Sequence, residues 1–163
     1  MLPDLLAPGL DVIFCGTAAG KRSAERGHYY AGPGNRFWPT LAEIGLTGRL
    51  FTPEEDHLLP GLGLGFTDLA KDVAGTDSQI PASAYTPKRL ADVVAQWRPR
   101  AVAFTSLTAA RIALGARHDP GRTQHGALPG TVIWVLPSPS GLARGHFRIE
   151  PWRDLALWRR QAA

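Results

Sequence analysis

Four short apolar runs punctuate the chain: Val12–Cys15, Leu64–Phe66, Ala101–Phe104 and Val132–Leu136. Each has the length and composition of a strand buried on both faces. Between them, apolar positions recur at helical spacing. Asn35–Gly45 carries Phe37, Trp38, Leu41 and Ile44, and Gly45 is placed to end it. Thr52-Pro53-Glu54-Glu55 offers a cap, a first-turn proline and a capping-box glutamate ahead of His57, Leu58 and Leu59. Thr86-Pro87 opens a helix with Leu90, Val93, Val94 and Trp97 on one face. Ser106–Leu114 follows the third run, with Gly115 as its C-cap. The last helix runs from about Pro151 to Gln161, with Trp152, Leu155 and Trp158 inward and Arg153, Arg159 and Arg160 outward.

Strands alternating with helices predict an α/β fold of three layers, α/β/α, around a central four-stranded, mainly parallel sheet. Asp119–Gly130, rich in Gly and Pro and without a period, reads as a mobile connection. No repeat or linker interrupts the pattern, so residues 1–163 are expected to form one domain. Ligands of such sheets bind outside the carboxyl ends of the strands, which directs attention to the loops after strands one, two and four.

Charge sharpens this picture. The net charge of +4 divides unevenly: residues 1–92 carry 8 Lys/Arg against 11 Asp/Glu, while residues 93–163 carry 10 Arg against 3 acids. A half with net charge +7, all of it arginine, suits a polyanion, because the guanidinium fork makes bidentate contacts with phosphate. A solvated arginine-rich surface is the alternative reading. The single cysteine, Cys15, excludes an internal disulfide and a cysteine-cluster metal site. No apolar run reaches the roughly 18 residues that would span a bilayer. MLPDLLAPGLDVIF has no basic stretch ahead of its apolar residues and carries Asp4, so no secretory leader is expected and the cytoplasm is the expected setting.

Three loops could carry chemistry. After the first strand, Gly16-Thr17-Ala18-Ala19-Gly20 allows close backbone approach to a ligand, and Lys21 and Arg22 add positive charge. It has neither the Walker nor the dinucleotide spacing, and a tight strand-to-loop turn is the more frequent explanation of such a loop. Tyr29 and Tyr30 precede a Gly/Pro turn and offer either a stacking face for a base or core packing. After the fourth strand, Pro137-Ser138-Pro139-Ser140-Gly141-Leu142 forms a stiff loop with a small apolar tip, followed by Arg144. Such a tip suits insertion into a base stack, or is a surface turn.

Together, LAPGLDVIFCGTAAG at 6–20, NRFW at 35–38 and WVLPSPSGLAR at 134–144 resemble the mismatch-specific uracil-DNA glycosylases, the bacterial branch related to thymine-DNA glycosylase. The resemblance extends over nearly the whole chain and implies a uracil-DNA glycosylase-like fold acting on duplex DNA that contains uracil or mismatches. Single-stranded DNA is a further candidate partner; a membrane is not one, and a monomer is expected. It implies that Gly16, Thr17, Ala18 and Tyr30 surround a flipped base, with Tyr30 stacking on it. It places Ser23 where the family monitors pyrimidine C5, and Ser138 where it usually has asparagine. Gly20, Lys21, Arg22, Ser140, Gly141, Leu142 and Arg144 would contact DNA, with Gly141, Leu142 and Arg144 forming the wedge. No metal or organic cofactor is implied.

The first loop departs from the family. The family reads GINPG, its asparagine positioning the hydrolytic water, whereas this chain reads GTAAG with Ala18 at that position. Asp68, after the second strand on the same rim, is the best substitute: a carboxylate there could orient or deprotonate water. Thr67 or Asp68 could instead cap a helix beginning at Leu69. Lys71 and Asp72 read as surface residues; His28 reads first as a satisfied loop histidine and second as a pocket acid or phosphate donor, and His125 and His146 as minor phosphate candidates. With no lysine placed for a Schiff base, strand-cleaving lyase activity is not expected. Three functions follow, in descending order: hydrolysis of an N-glycosidic bond in DNA, lesion binding without catalysis, or a small-molecule nucleoside or nucleotide enzyme using the same pocket.

Overall fold

A computed structural model describes residues 2–162, apart from the side chain of Arg144. Five strands form one sheet: β1 (Val12–Gly16), β2 (Leu64–Asp68), β3 (Ala101–Phe104), β4 (Gly121–Thr123) and β5 (Val132–Val135). Five α-helices accompany them: α1 (Lys21–Arg26), α2 (Phe37–Glu43), α3 (Pro87–Trp97), α4 (Leu107–Leu114) and α5 (Glu150–Ala162). The strand order is β2-β1-β3-β5-β4. Four strands are parallel, and β4 runs antiparallel to β5.

The apolar runs are explained by cover on both faces. Val12 and Phe14 of β1 pack with Phe37 and Leu41 of α2 and Trp152 and Leu155 of α5. Cys15 faces the opposite layer, where Leu90 and Val94 of α3 meet Ala109, Ala110 and Leu114 of α4. Neither face of β1 sees water, so neither needs polar residues.

The sheet has five strands rather than the expected four. The additional strand, Gly121-Arg122-Thr123, lies inside the stretch read as a mobile connection. It is a three-residue, partly exposed edge strand with no apolar side chain, so hydrophobic patterning carries no trace of it. The helix expected after Thr52 is a 3₁₀ segment, Pro53–Leu62, with its capping box in place. Pro60 inside it lacks the donor that an α-helical ladder would need. At α5, Arg153 and Arg160 are exposed, but Arg159 folds back, its Nε donating to Asp11 Oδ2 at 3.0 Å.

The N-terminal segment lies along the outer edge of β2. Leu5 and Phe66 exchange backbone hydrogen bonds of 3.0 and 2.9 Å. This pairing blunts an otherwise open sheet edge and delivers Asp4 to the end of β2. No helix among the described residues is long and apolar enough to cross a membrane.

Candidate active site

The chain leaves β1 toward β2 on one side and leaves β3 toward β5 on the other. Open α/β sheets bind ligands at such a divergence, outside the carboxyl ends of the flanking strands, here β1 and β3. β1 and β2 end level, with Gly16 in register with Asp68. The loops after β1, β2 and β3 therefore converge. The third of these, with Thr105, was absent from the loops singled out in the sequence.

Asp68, the last residue of the outer strand β2, reaches over Gly16 at this rim and is only 5% exposed. One carboxylate oxygen, Oδ1, lies 2.8 Å from where a Cβ on Gly16 would stand, so only glycine lets the strand and the carboxylate approach this closely. The other oxygen, Oδ2, lies 4.0 Å from Lys71 Nζ. Burial pushes the carboxyl up to about 7; Lys71 opposes the rise, Asp4 adds to it, and Arg89 and the Gly16 N–H oppose it. The capping reading is overturned, because β2 continues through Asp68 and no helix begins at Leu69. The Leu69 and Ala70 N–H groups instead donate to the Gly16 and Thr17 carbonyls at 2.9 and 2.8 Å.

Lys71 is likewise not a surface residue. Its side chain is 17% exposed and its Nζ lies 3.1 Å from Asp4 Oδ1. It also donates to the Tyr29 hydroxyl at 3.1 Å. Asp4 in turn accepts from Thr67 Oγ1 at 2.8 Å and from the Arg89 guanidinium. Asp72 is exposed, as expected.

The two tyrosines take different places. Tyr29 is a core residue stacked on Phe66, ring centroids 4.8 Å apart. Tyr30 is half-buried, stacks on Phe37 at 4.0 Å, and hydrogen-bonds Thr105 Oγ1 through its hydroxyl at 2.9 Å. Its φ of +53° is a left-handed conformation costly for an aromatic residue. The flanking peptide groups hold it there. Tyr29 N–H donates to Asp56 Oδ2 at 3.0 Å, and Trp38 Nε1 donates to the Tyr29 carbonyl at 3.1 Å. Ala31 N–H donates to Ser23 Oγ at 2.9 Å, and Arg26 donates to the Ala31 carbonyl at 2.8 Å. Ser23 is thus buried and shapes the Tyr30 loop rather than presenting its hydroxyl at the surface. His28 is similarly engaged, its Nδ1 3.2 Å from Asp56 Oδ1.

Thr17 donates to Asp77 Oδ1 at 2.7 Å, and Ala18 is half-buried beside it. Gly20, Lys21 and Arg22 are exposed at the start of α1. The 138–142 loop docks against the turn after Tyr30. Arg36 N–H donates to the Pro139 carbonyl at 2.7 Å, and a Cβ on Gly141 would lie 2.8 Å from the Pro33 carbonyl. Ser138 Oγ accepts from Ser140 N–H, and Ser140 Oγ accepts from Leu142 N–H, each at 3.2 Å. These bonds fix the tip and leave the Leu142 side chain 82% exposed. Arg144 follows in the same 3₁₀ turn as exposed His146; the Arg144 side chain lies outside the described residues. His125 is separated from the rim, since the loop entering parallel strand β5 lies at the opposite end of the sheet.

The fold and rim define an α/β protein whose site lies at a topological switch point, around a buried carboxylate and stacked aromatic rings. The sequence pattern of the uracil DNA glycosylase superfamily matches residues 3–160, and the chain belongs to that superfamily. In fold it is similar to a Methanosarcina acetivorans protein provisionally named a uracil DNA glycosylase and solved by solution NMR. That match has 19% identity and a TM-score of 0.66, covering 99% of this chain and 97% of that one. Superfamily membership supports DNA-glycosylase-like chemistry and DNA binding at that general level.

Proposed function

We propose that the protein is a monofunctional DNA glycosylase of the mismatch-specific uracil branch. It would rotate uracil, or a related damaged or mismatched base, out of DNA and hydrolyse its N-glycosidic bond. The observation that carries this reading is the placement of Asp68, facing the first loop from the adjacent strand end in a chain whose asparagine position is Ala18. In this mechanism the C1′–N1 bond breaks first and its electron pair leaves with the base, giving an oxocarbenium-like sugar and a uracil anion. The N–H groups of Ala18 and Tyr30 donate to no other described group of the protein, and are free to meet the base's polar edge. Ionised Asp68 stabilises the sugar cation and orients the water whose oxygen bonds C1′; the carboxylate accepts the water's proton. Leu142 fills the vacated stack, and the arginine-rich half grips phosphate.

Lys71 is the lysine nearest this chemistry, and its ammonium is already held by Asp4. Incubation with borohydride should therefore trap no covalent DNA adduct; a trapped adduct would show a lyase step instead. Ala18, which has no group to bind water, supports a second reading as a lesion-binding protein. Enzyme-excess incubation with G·U, A·U and single-stranded uracil oligonucleotides separates the two. Abasic product supports the glycosylase, whereas tight binding without product supports the binding protein.

A further inference from the structure

We propose that Lys71 is a positioning residue for Asp68: pinned between Asp4 and Asp68, its ammonium holds the carboxylate in the ionised form that hydrolysis uses, and Asp4 sets the limit of that effect. The inference rests on the assignment of Asp68 as the hydrolytic carboxylate.

The geometry is specific to this role. Lys71 Nζ is fixed by Asp4 Oδ1 and the Tyr29 hydroxyl, both at 3.1 Å, and lies 5.5 Å from the centre of the Tyr29 ring. So held, the side chain is committed to partners within the protein. Its distance of 4.0 Å from Asp68 Oδ2 leaves Oδ1, on the Gly16 side, free of the cation. Arg89 reaches the main chain of Asp68, its Nη1 lying 3.4 Å from the carbonyl oxygen, and it also binds Thr67 and Asp4. Lys71 is thus the cation that faces the carboxylate. An ionised carboxylate taken out of water needs such a partner.

Titratable groups from five segments lie close enough to Asp68 to exchange electrostatic influence with it. They are Asp4 from the N-terminal segment, Cys15 from β1, Tyr29 and Tyr30 from the loop after α1, Lys71 from the loop after β2, and Arg89 from α3. Burial, with the Asp68 charge next, raises the Cys15 thiol and both tyrosine hydroxyls, so these three stay neutral. The charge around Asp68 therefore reduces to two cations and one anion. For Asp68 itself, burial is the largest influence; Lys71 then outranks Asp4, and Asp4 outranks Arg89. Removing Lys71 and removing Asp4 should thus act with opposite signs.

The experiment is single-turnover excision from a G·U duplex across pH, with thermal melts alongside, for wild type, Lys71→Met, Lys71→Arg and Asp4→Asn. Lys71→Met should move the acidic limb upward by about one pH unit or more, with the rate rising to a plateau at higher pH. Lys71→Arg keeps the charge and should stay near wild type, while Asp4→Asn should move the limb downward. A folded Lys71→Met with an unmoved limb overturns the proposal. Should Lys71→Met fail to fold, Asp4→Asn decides: a downward move supports the proposal and an unmoved limb overturns it. Asp68→Asn separates the two levels of inference. If it excises like wild type, the assignment of Asp68 fails; if it is inactive and Lys71→Met leaves the limb in place, only the role of Lys71 fails.

Discussion

Asp68 is a carboxyl taken out of water at a strand end, and that placement bears on stability as well as chemistry. Its folded-state pKa of about 7 stands above the roughly 3.9 of an unfolded aspartate, so the native state holds the proton more tightly. Stability from this group is therefore greatest at low pH and falls as pH rises from about 4 to 7, because the unfolded chain loses its proton first. Asp68→Asn, which cannot ionise, should be more stable than wild type at pH 8, by roughly 1–4 kcal/mol. The gain should shrink toward zero near pH 4, and thermal melts at the two pH values check it. Loss of stability at pH 8 would show instead that the ionised carboxylate supports the fold. Ala18→Asn is the complementary change: if the first loop has the geometry of the proposed branch, an amide there should raise the single-turnover rate of excision, and no gain would show a reorganised loop.

At the scale of elements, the loop after α1 is built to hold one strained residue. Tyr30 keeps a left-handed backbone because Asp56, Trp38, Ser23 and Arg26 bond the peptide groups on either side of it. Asp56→Ala leaves the buried Tyr29 N–H without its acceptor and should cost about 1–3 kcal/mol by chemical denaturation. The excision rate should fall with it, as the stacking face shifts. The four parallel strands were legible because burial on two faces writes itself as an apolar run, and β4 was not, because Gly-Arg-Thr at an edge buries nothing. Asp68 was legible as a strand-end carboxylate. Its partners were not: Asp4 meets Thr67 and Arg89 across 63 and 85 residues of sequence, and no local spacing encodes such contacts. Thr105 is not legible in the sequence for a related reason, since its hydroxyl gains meaning only once β3 lies beside β1.

Across the whole molecule, the charge asymmetry acquires a direction. The basic half supplies the 138–142 loop with its exposed Leu142, and exposed Arg148, while the half of net charge −3 supplies the buried carboxylate and the Tyr30 loop. Charge reversal at Lys21 or Arg148, both exposed, should weaken DNA binding about uniformly across sequences and lower the salt slope by about one unit each. Fluorescence anisotropy titrations at several salt concentrations measure both. An unchanged slope would place the phosphate contacts elsewhere. Whether Asp68 carries the hydrolytic step is decided by single-turnover excision from a G·U duplex at saturating enzyme, wild type against Asp68→Asn. The predicted result is a rate at least about 100-fold lower with DNA affinity nearly unchanged, in the range expected for loss of a general base. A folded Asp68→Asn protein that excises uracil at the wild-type rate would show that another group activates the water.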